Sequence, residues 1–305
     1  MTKQSKSKNK HRPQSIPGET EDQVKTAAPG EKTENITRQE LSKHGPRLPV
    51  GIKQADGSVA RDIAIRDWVM AQERELGERR KAMAEDKDNM ARYVSSVIGV
   101  MCPSLGGHDF TKLDQIQREI LVGQMTVPDV MFAYVLIRIE AMGEELDLTL
   151  TSPYSGKEFE WTGDLNTVMI KSPDTPDDAL WGYELKRPFS VRGKNVTKIT
   201  MGPQLWNMVE ALNPGTSTDA TTKAAAIKGA IHRLPEVSDD PIVLVETDLD
   251  GMHKRDIEAL SRRIDLNGMG PIMVLEVKDP TVPTDKKFLT AIDWRYDNFF
   301  GDSSR

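Results

Sequence analysis

The stretch Val130–Ile139 carries one charge, Arg138, among residues that are otherwise all apolar or aromatic. An element that is apolar on every side has to be surrounded by protein, so the remainder of the chain must be built around it. Its limits are marked. Pro128 is a residue favoured in a first helical turn, and Gly143 stands where a helix would end. The sequence therefore predicts a buried central helix running from Pro128 to near Gly143.

On the N-terminal side, a charged helical stretch covers Glu73–Arg92. Val94, Val97, Ile98 and Met101 then recur at i, i+3, i+4 and i+7, an apolar helical face halted by Pro103 and Gly106-Gly107. A further helix is expected over Leu113–Met125. After Gly143 the period changes to two: Leu146, Leu148 and Leu150 alternate with Asp147, Thr149 and Thr151. Ser152-Pro-Tyr-Ser-Gly156 supplies a turn, and Phe159 and Trp161 alternate back, so a β-hairpin is predicted. A second hairpin pairs Ile272–Val277 with Phe288–Trp294, and a third joins Phe189–Val191 to Thr197–Met201 around Gly193. Helices are expected at Pro203–Leu212, at Thr222–Leu234 (Ala224, Ile227, Ile231 and Leu234 on one face), and at Asp250–Leu266. In the last, Asp250 would be the N-cap, Ile257, Leu260 and Ile264 would face inward, and Gly268 would lie beyond the end.

Residues 1–50 have a different character. They contain no aromatic residue, and Ile16, Val24, Ile36 and Leu41 follow neither a helix nor a strand period. Such a segment buries too little apolar surface to offset its chain entropy, so a disordered arm is expected. Ten Lys/Arg against six Asp/Glu make it basic, while the remaining residues have 31 against 41. Lys3, Lys6, Lys8, Lys10 and Arg12 concentrate the positive charge at the tip and are candidate interaction residues. They fit either a solubilising tail or an arm that docks on acidic neighbours. The fold class expected is α+β: a disordered arm and linker over 1–60, a helical part over 61–143, and mixed helices and antiparallel β-hairpins over 144–305.

The single cysteine, Cys102, excludes an intramolecular disulfide and a thiolate cluster within one chain, and only five histidines are present. Synthesis in a reducing cytosol is expected. No apolar run reaches the roughly 18 residues of a membrane span, and no apolar core follows the basic N-terminus to make a secretory signal. One enzymatic pattern stands out. Pro173-Asp174 followed by Glu184-Leu185-Lys186 reads as PD…ExK, in which Asp and Glu on adjacent strands hold Mg²⁺ while Lys orients water. The same residues read equally well as a polar loop, and the acidic body offers no basic groove for phosphates. His108-Asp109 and Asp250-Gly-Met-His253 are expected to serve structure, and no glycine-rich phosphate loop occurs. With cysteines in place of Ser152 and Ser155 the first hairpin turn would be a zinc knuckle, and Asp279-Pro280 occupies a comparable place in the other hairpin. Serine is not a normal zinc ligand, so no metal, cofactor or small-molecule substrate is expected. Trp294, Tyr296, Phe299 and Phe300 crowd the C-terminus and predict an anchor, packed either on the body or on a partner.

Several segments are similar to a family of contractile-tail phage baseplate and baseplate-hub proteins. These are Gln124–Val130, Ala133–Arg138, Gly143–Leu148, Phe159–Val168, Leu180–Lys194, Lys254–Asp265 and Ile292–Arg305, so the likeness spans about residues 60–305. Members of that family tend to carry CPxCG-like knuckles in the two hairpin turns, from which this chain departs at Ser152, Ser155 and around Asp279. The resemblance implies a structural protein of the virion tail, made in the host cytoplasm, with no catalytic residues. It would bind other tail proteins and copies of itself, with no specific nucleic-acid partner. A tail-assembly chaperone absent from the finished particle and the Mg²⁺-dependent nuclease are the alternatives.

Overall fold

The computed structural model describes residues 35–82, 90–211, 219–238, 242, 244–292 and 299–300. Ordered elements begin well before residue 60: β1 (Ile36–Glu40), the single turn α1 (Leu41–His44), β2 (Arg47–Lys53) and β3 (Val59–Ala64). The expected arm-and-linker boundary at 60 is therefore corrected to a position no later than residue 36. The reason is long-range. Leu41, Leu48 and Val50 are buried, but by segments distant in sequence. β1 pairs antiparallel with residues 169–173, in register from Ile36↔Pro173 to Glu40↔Met169. The N–H groups of Val50 and Gly51 donate to the Asp129 carboxylate at 2.8 and 3.2 Å. The five basic residues at the tip lie outside the described residues.

Next come α2 (Met70–Ala82), α3 (Met90–Met101), the two-residue strands β4 (Ser104–Leu105) and β5 (His108–Asp109), α4 (Gln115–Gln124) and α5 (Val127–Met142). Strands β2-β3-β4-β5 form one antiparallel sheet. α4 starts on a reciprocal cap in which Gln117 N–H donates to Asp114 Oδ1 (2.9 Å) and Asp114 N–H donates to Gln117 Oε1 (3.0 Å). α5 is the central helix the sequence predicts. Thr126 caps its start, Pro128 sits in its first turn, and Gly143 ends it with φ 82° and an N–H bonded to Ile139 O at 2.8 Å. Every residue from Pro128 to Val135 is buried, as are Ile137 and Arg138. α3 and β2 pack on it.

The C-terminal half contributes β6 (Glu145–Thr151), β7 (Glu158–Asp164), β8 (Met169–Pro173), β9 (Trp181–Val191), β10 (Lys194–Met201), α6 (Trp206–Glu210), α7 (Asp219–Ala230), β11 (Ile231–Arg233), α8 (Lys254–Asn267), β12 (Gly270–Pro271), β13 (Val274–Lys278) and β14 (Lys287–Ala291). All three predicted hairpins form. Leu148 faces Trp161 and Leu150 faces Phe159 in β6–β7, and Val277 faces Phe288 in β13–β14. β9 and β10 are longer than expected and join through Arg192-Gly193, both at positive φ, as a two-residue hairpin turn requires.

Helix limits differ from expectation, most informatively at the end of α7 and the start of α8. α7 stops at Ala230, and Ile231–Arg233 leaves as a strand beside β10. Ile231 and Leu234 both enter the same core, but Leu234 lies beyond the strand and forms an isolated bridge to Ser238, so a strand followed by a turn meets a spacing that reads as helical. α8 begins at Lys254 with His253 as N-cap, its Nδ1 accepting from Arg255 N at 3.3 Å, while Asp250 closes a 3₁₀ turn. Gly270 is needed where it stands. Its φ is +83°, and a Cβ there would meet Pro128 Cα at 2.8 Å, at the start of α5.

Buried residues fall into two cores rather than the expected division at 143. One is built on α3 and α5 and takes in Leu146, Leu165, Val168, Ile170, Trp206, Leu275, Ile292, Phe299 and Phe300. The other, drawn from between Tyr183 and Leu260, unites β9, β10, β11, α7 and α8. The first core thus closes only when the last hairpin returns to it. Among the described residues, no helix is long and apolar enough to cross a membrane.

Candidate functional site

The structure separates the PD…ExK residues. Asp174 follows β8, which pairs with β1 and β12, whereas Glu184 and Lys186 lie on β9 in the β11-β10-β9 sheet. All three side chains are exposed. The adjacent-strand arrangement that the pattern requires is not formed. Among the described residues, no group of three or more His, Cys, Asp or Glu is placed to hold a metal ion. Asp109, beside His108, caps a short 3₁₀ turn through Thr111 N (3.1 Å), and its hydrogen bonds from Lys112 and Thr111 hold its carboxyl at about 2.

A cleft of about 510 Å³ opens between α3, α4 and α6. On one side, Glu210 accepts from the Ser95 hydroxyl, and that oxygen also accepts Trp206 Nε1–H at 2.8 Å. On the other side, Glu119 accepts from Ser96 Oγ at 2.8 Å and lies 3.4 Å from Arg79 Nη1. Burial raises the Glu210 pKa, opposed by the Ser95 hydroxyl and the Arg92 charge and reinforced by Glu119. The cleft is also lined by Ile116 and Ile120, 70% and 55% exposed and one helical turn apart. Sequence periodicity did not single them out, although α4 carries apolar residues on two faces and only Val122 and Leu121 reach the core.

Of the C-terminal aromatic residues, Trp294 and Tyr296 lie outside the described residues. Phe299 and Phe300 are core residues, 0% and 6% exposed. Phe299 stacks on Tyr134 of α5 at 5.3 Å between centroids and 18° between planes. Phe300 meets Tyr134 edge-on at 5.2 Å and Trp68 at 5.3 Å. The aromatic pair thus packs within the chain, against two rings that sequence alone did not connect to it.

The two hairpin turns meet. Ser152 Oγ donates to Asp279 Oδ2 at 2.5 Å, and Ser155 Oγ lies 2.6 Å from Thr281 Oγ1. Thr281 also donates to Asp279 Oδ1 from its hydroxyl (2.6 Å) and its N–H (2.8 Å). Tyr154 braces the junction, its hydroxyl donating to Lys287 O at 2.7 Å and its ring lying under Lys286 Nζ at 4.8 Å.

No protein-family model, curated protein or solved structure matches this chain.

Proposed function

We propose that this chain is a structural component of a contractile-tail phage baseplate that acts by subunit–subunit binding, with no catalytic role. The observation that carries the proposal is where the segments resembling such proteins fall. Gln124–Arg138 builds most of α5, Phe159–Val168 covers most of β7, Leu180–Lys194 makes β9 and its turn, and Lys254–Asp265 makes most of α8. They contribute residues to both cores. The α3–α4–α6 cleft adds a face on which a neighbouring subunit could pack, lined by the exposed Ile116 and Ile120 and by the carboxylates of Glu119 and Glu210. Partners under this proposal are other tail proteins and copies of the same chain, and the protein resides in the virion after synthesis in the host cytoplasm.

Mass spectrometry of purified particles and of dissociated tails tests it. The chain should be recovered with the tail fraction at a fixed ratio to other tail proteins. Recovery only from the soluble lysate would replace this proposal with an assembly chaperone. Mg²⁺-dependent DNA cleavage that disappears on Asp174→Ala would replace it with the nuclease.

A further inference from the structure

The exposed face of the β6–β7 hairpin carries charge of one sign only. Its register stacks the outward side chains in four rungs, and each rung holds a carboxylate: Glu145 opposite Asp164, then Asp147, then Glu160, then Glu158. The other outward residues are threonines, two of which hold carboxylates on the face. Thr162 Oγ1 donates to Asp147 Oδ1 at 2.5 Å, and Thr149 Oγ1 donates to Glu160 Oε1 at 3.0 Å.

On the β13–β14 hairpin, by contrast, Lys287 meets Glu276 of the facing strand at 2.6 Å. Among the described residues, no Lys or Arg forms an ion pair with any of the five β6–β7 carboxylates. The charge of buried Arg138 does act on Asp147, but its Nε, Nη1 and Nη2 are donated to three backbone carbonyls. Like charges directly opposite each other, as Glu145 and Asp164 are, cost a sheet stability. An unpartnered sheet face kept at that cost suits a cationic partner.

The chain contains a segment of matching period. Lys6, Lys8, Lys10 and Arg12 recur at every second residue. Extended backbone of that pattern presents all four cations on one side, about 6.8 Å apart, which is also the spacing of the rungs. Four cations thus match four rungs. The 23 residues between Arg12 and β1 extend to about 80 Å, against a radius of gyration of about 19 Å for a folded chain of this length. The link therefore leaves the choice of face to charge, and tethering favours a face of the same chain over one on a neighbour.

We propose that Lys6–Arg12 docks in extended form along the outer face of β6–β7 of its own chain, one cation to each rung. This concerns the chain by itself and does not depend on its place in a tail.

Zero-length carbodiimide coupling of the full-length protein, with every Lys–carboxylate bond mapped by mass spectrometry, tests it. Lys6, Lys8 and Lys10 should couple chiefly to Asp147, Glu158, Glu160 and Asp164, at a yield independent of protein concentration. Four exposed ion pairs acting together should bias the docked population about tenfold. The yield should fall by about that factor in 1 M NaCl, where the Debye length is about 3 Å. Coupling should be lost in E158K/E160K/D164K and return, with amine and carboxylate exchanged, when K6E/K8E/K10E is added. Should the reversed face prevent folding, E158Q/E160Q leaves half the rungs neutral, and coupling to Asp147 and Asp164 should drop about threefold. Coupling spread over other carboxylates, such as Glu119 or Glu210 in the α3–α4–α6 cleft, overturns the proposal, as does a yield indifferent to salt. Bonds found only between chains, read from a mixture of ¹⁵N-labelled and unlabelled protein, overturn it too.

Discussion

Arg138 donates from Nε to the backbone carbonyl of Phe299 at 2.6 Å, across 161 residues of sequence. The same guanidinium donates to Gly143 O at 2.7 Å and Glu145 O at 2.8 Å. One buried side chain therefore ties the C-cap of α5, the first residue of β6 and the C-terminus together. The only charge in the most apolar stretch of the chain is there for its donors. Arg138→Met would keep most of the apolar stem and strand three carbonyls, so it should cost about 3 kcal/mol of unfolding free energy. Urea denaturation measures it, and a loss below about 1 kcal/mol would mean that water replaces the guanidinium easily.

Phe299→Ala should destabilise by about 3–5 kcal/mol, since a fully buried ring stacked on Tyr134 is removed. Adding Phe300→Ala should cost less than a second full increment, because both rings lean on Tyr134. Deleting residues 302–305 should leave the melting temperature nearly unchanged. A double variant that melts with the parent would remove the anchor.

Asp279 sets a pH dependence. Burial pushes its pKa up, but hydrogen bonds from the Ser152 hydroxyl and from the Thr281 hydroxyl and N–H outweigh this and hold it below 3.8. The folded pKa is depressed, so the stability it contributes is full above the unfolded pKa, near about 4, and is lost as pH falls through the folded value. The melting-temperature gap between parent and Asp279→Asn should be flat from pH 8 to 5 and shrink below about pH 4. Thermal scans across that range decide it; a gap constant down to pH 3 would show that the carboxylate charge is irrelevant to the junction of the two hairpin turns.

Cys102 should be silent in the native protein. It is fully buried, and burial pushes its thiol up to about 12 despite the nearby Arg66 charge. Reaction with a thiol reagent at pH 8 should proceed no faster than unfolding and become immediate in denaturant. Fast labelling under native conditions would expose an opening of the α3 end that the structure does not contain.

What the sequence determined by itself was local. The limits of α5 followed from Pro128 and Gly143, and the alternation of Leu146, Leu148 and Leu150 with Phe159 and Trp161 returning marked the first hairpin, because turn residues and periods act within a few residues. The return strand of the last hairpin was legible for the same reason. Tertiary structure alone decided the rest. β1 and β2 look unfoldable in isolation and become strands because β8 pairs with one and Asp129 caps N–H groups of the other. Ile231 and Leu234 are spaced as on one helical face, and pairing of Ile231–Arg233 with β10 overrides that local signal. The α3–α4–α6 cleft and the meeting of the two hairpin turns join residues 91 to 127 positions apart, such as Glu119 with Glu210 and Ser152 with Asp279. Side-chain period carries no information about which distant element a residue will meet; that is settled only when the cores close.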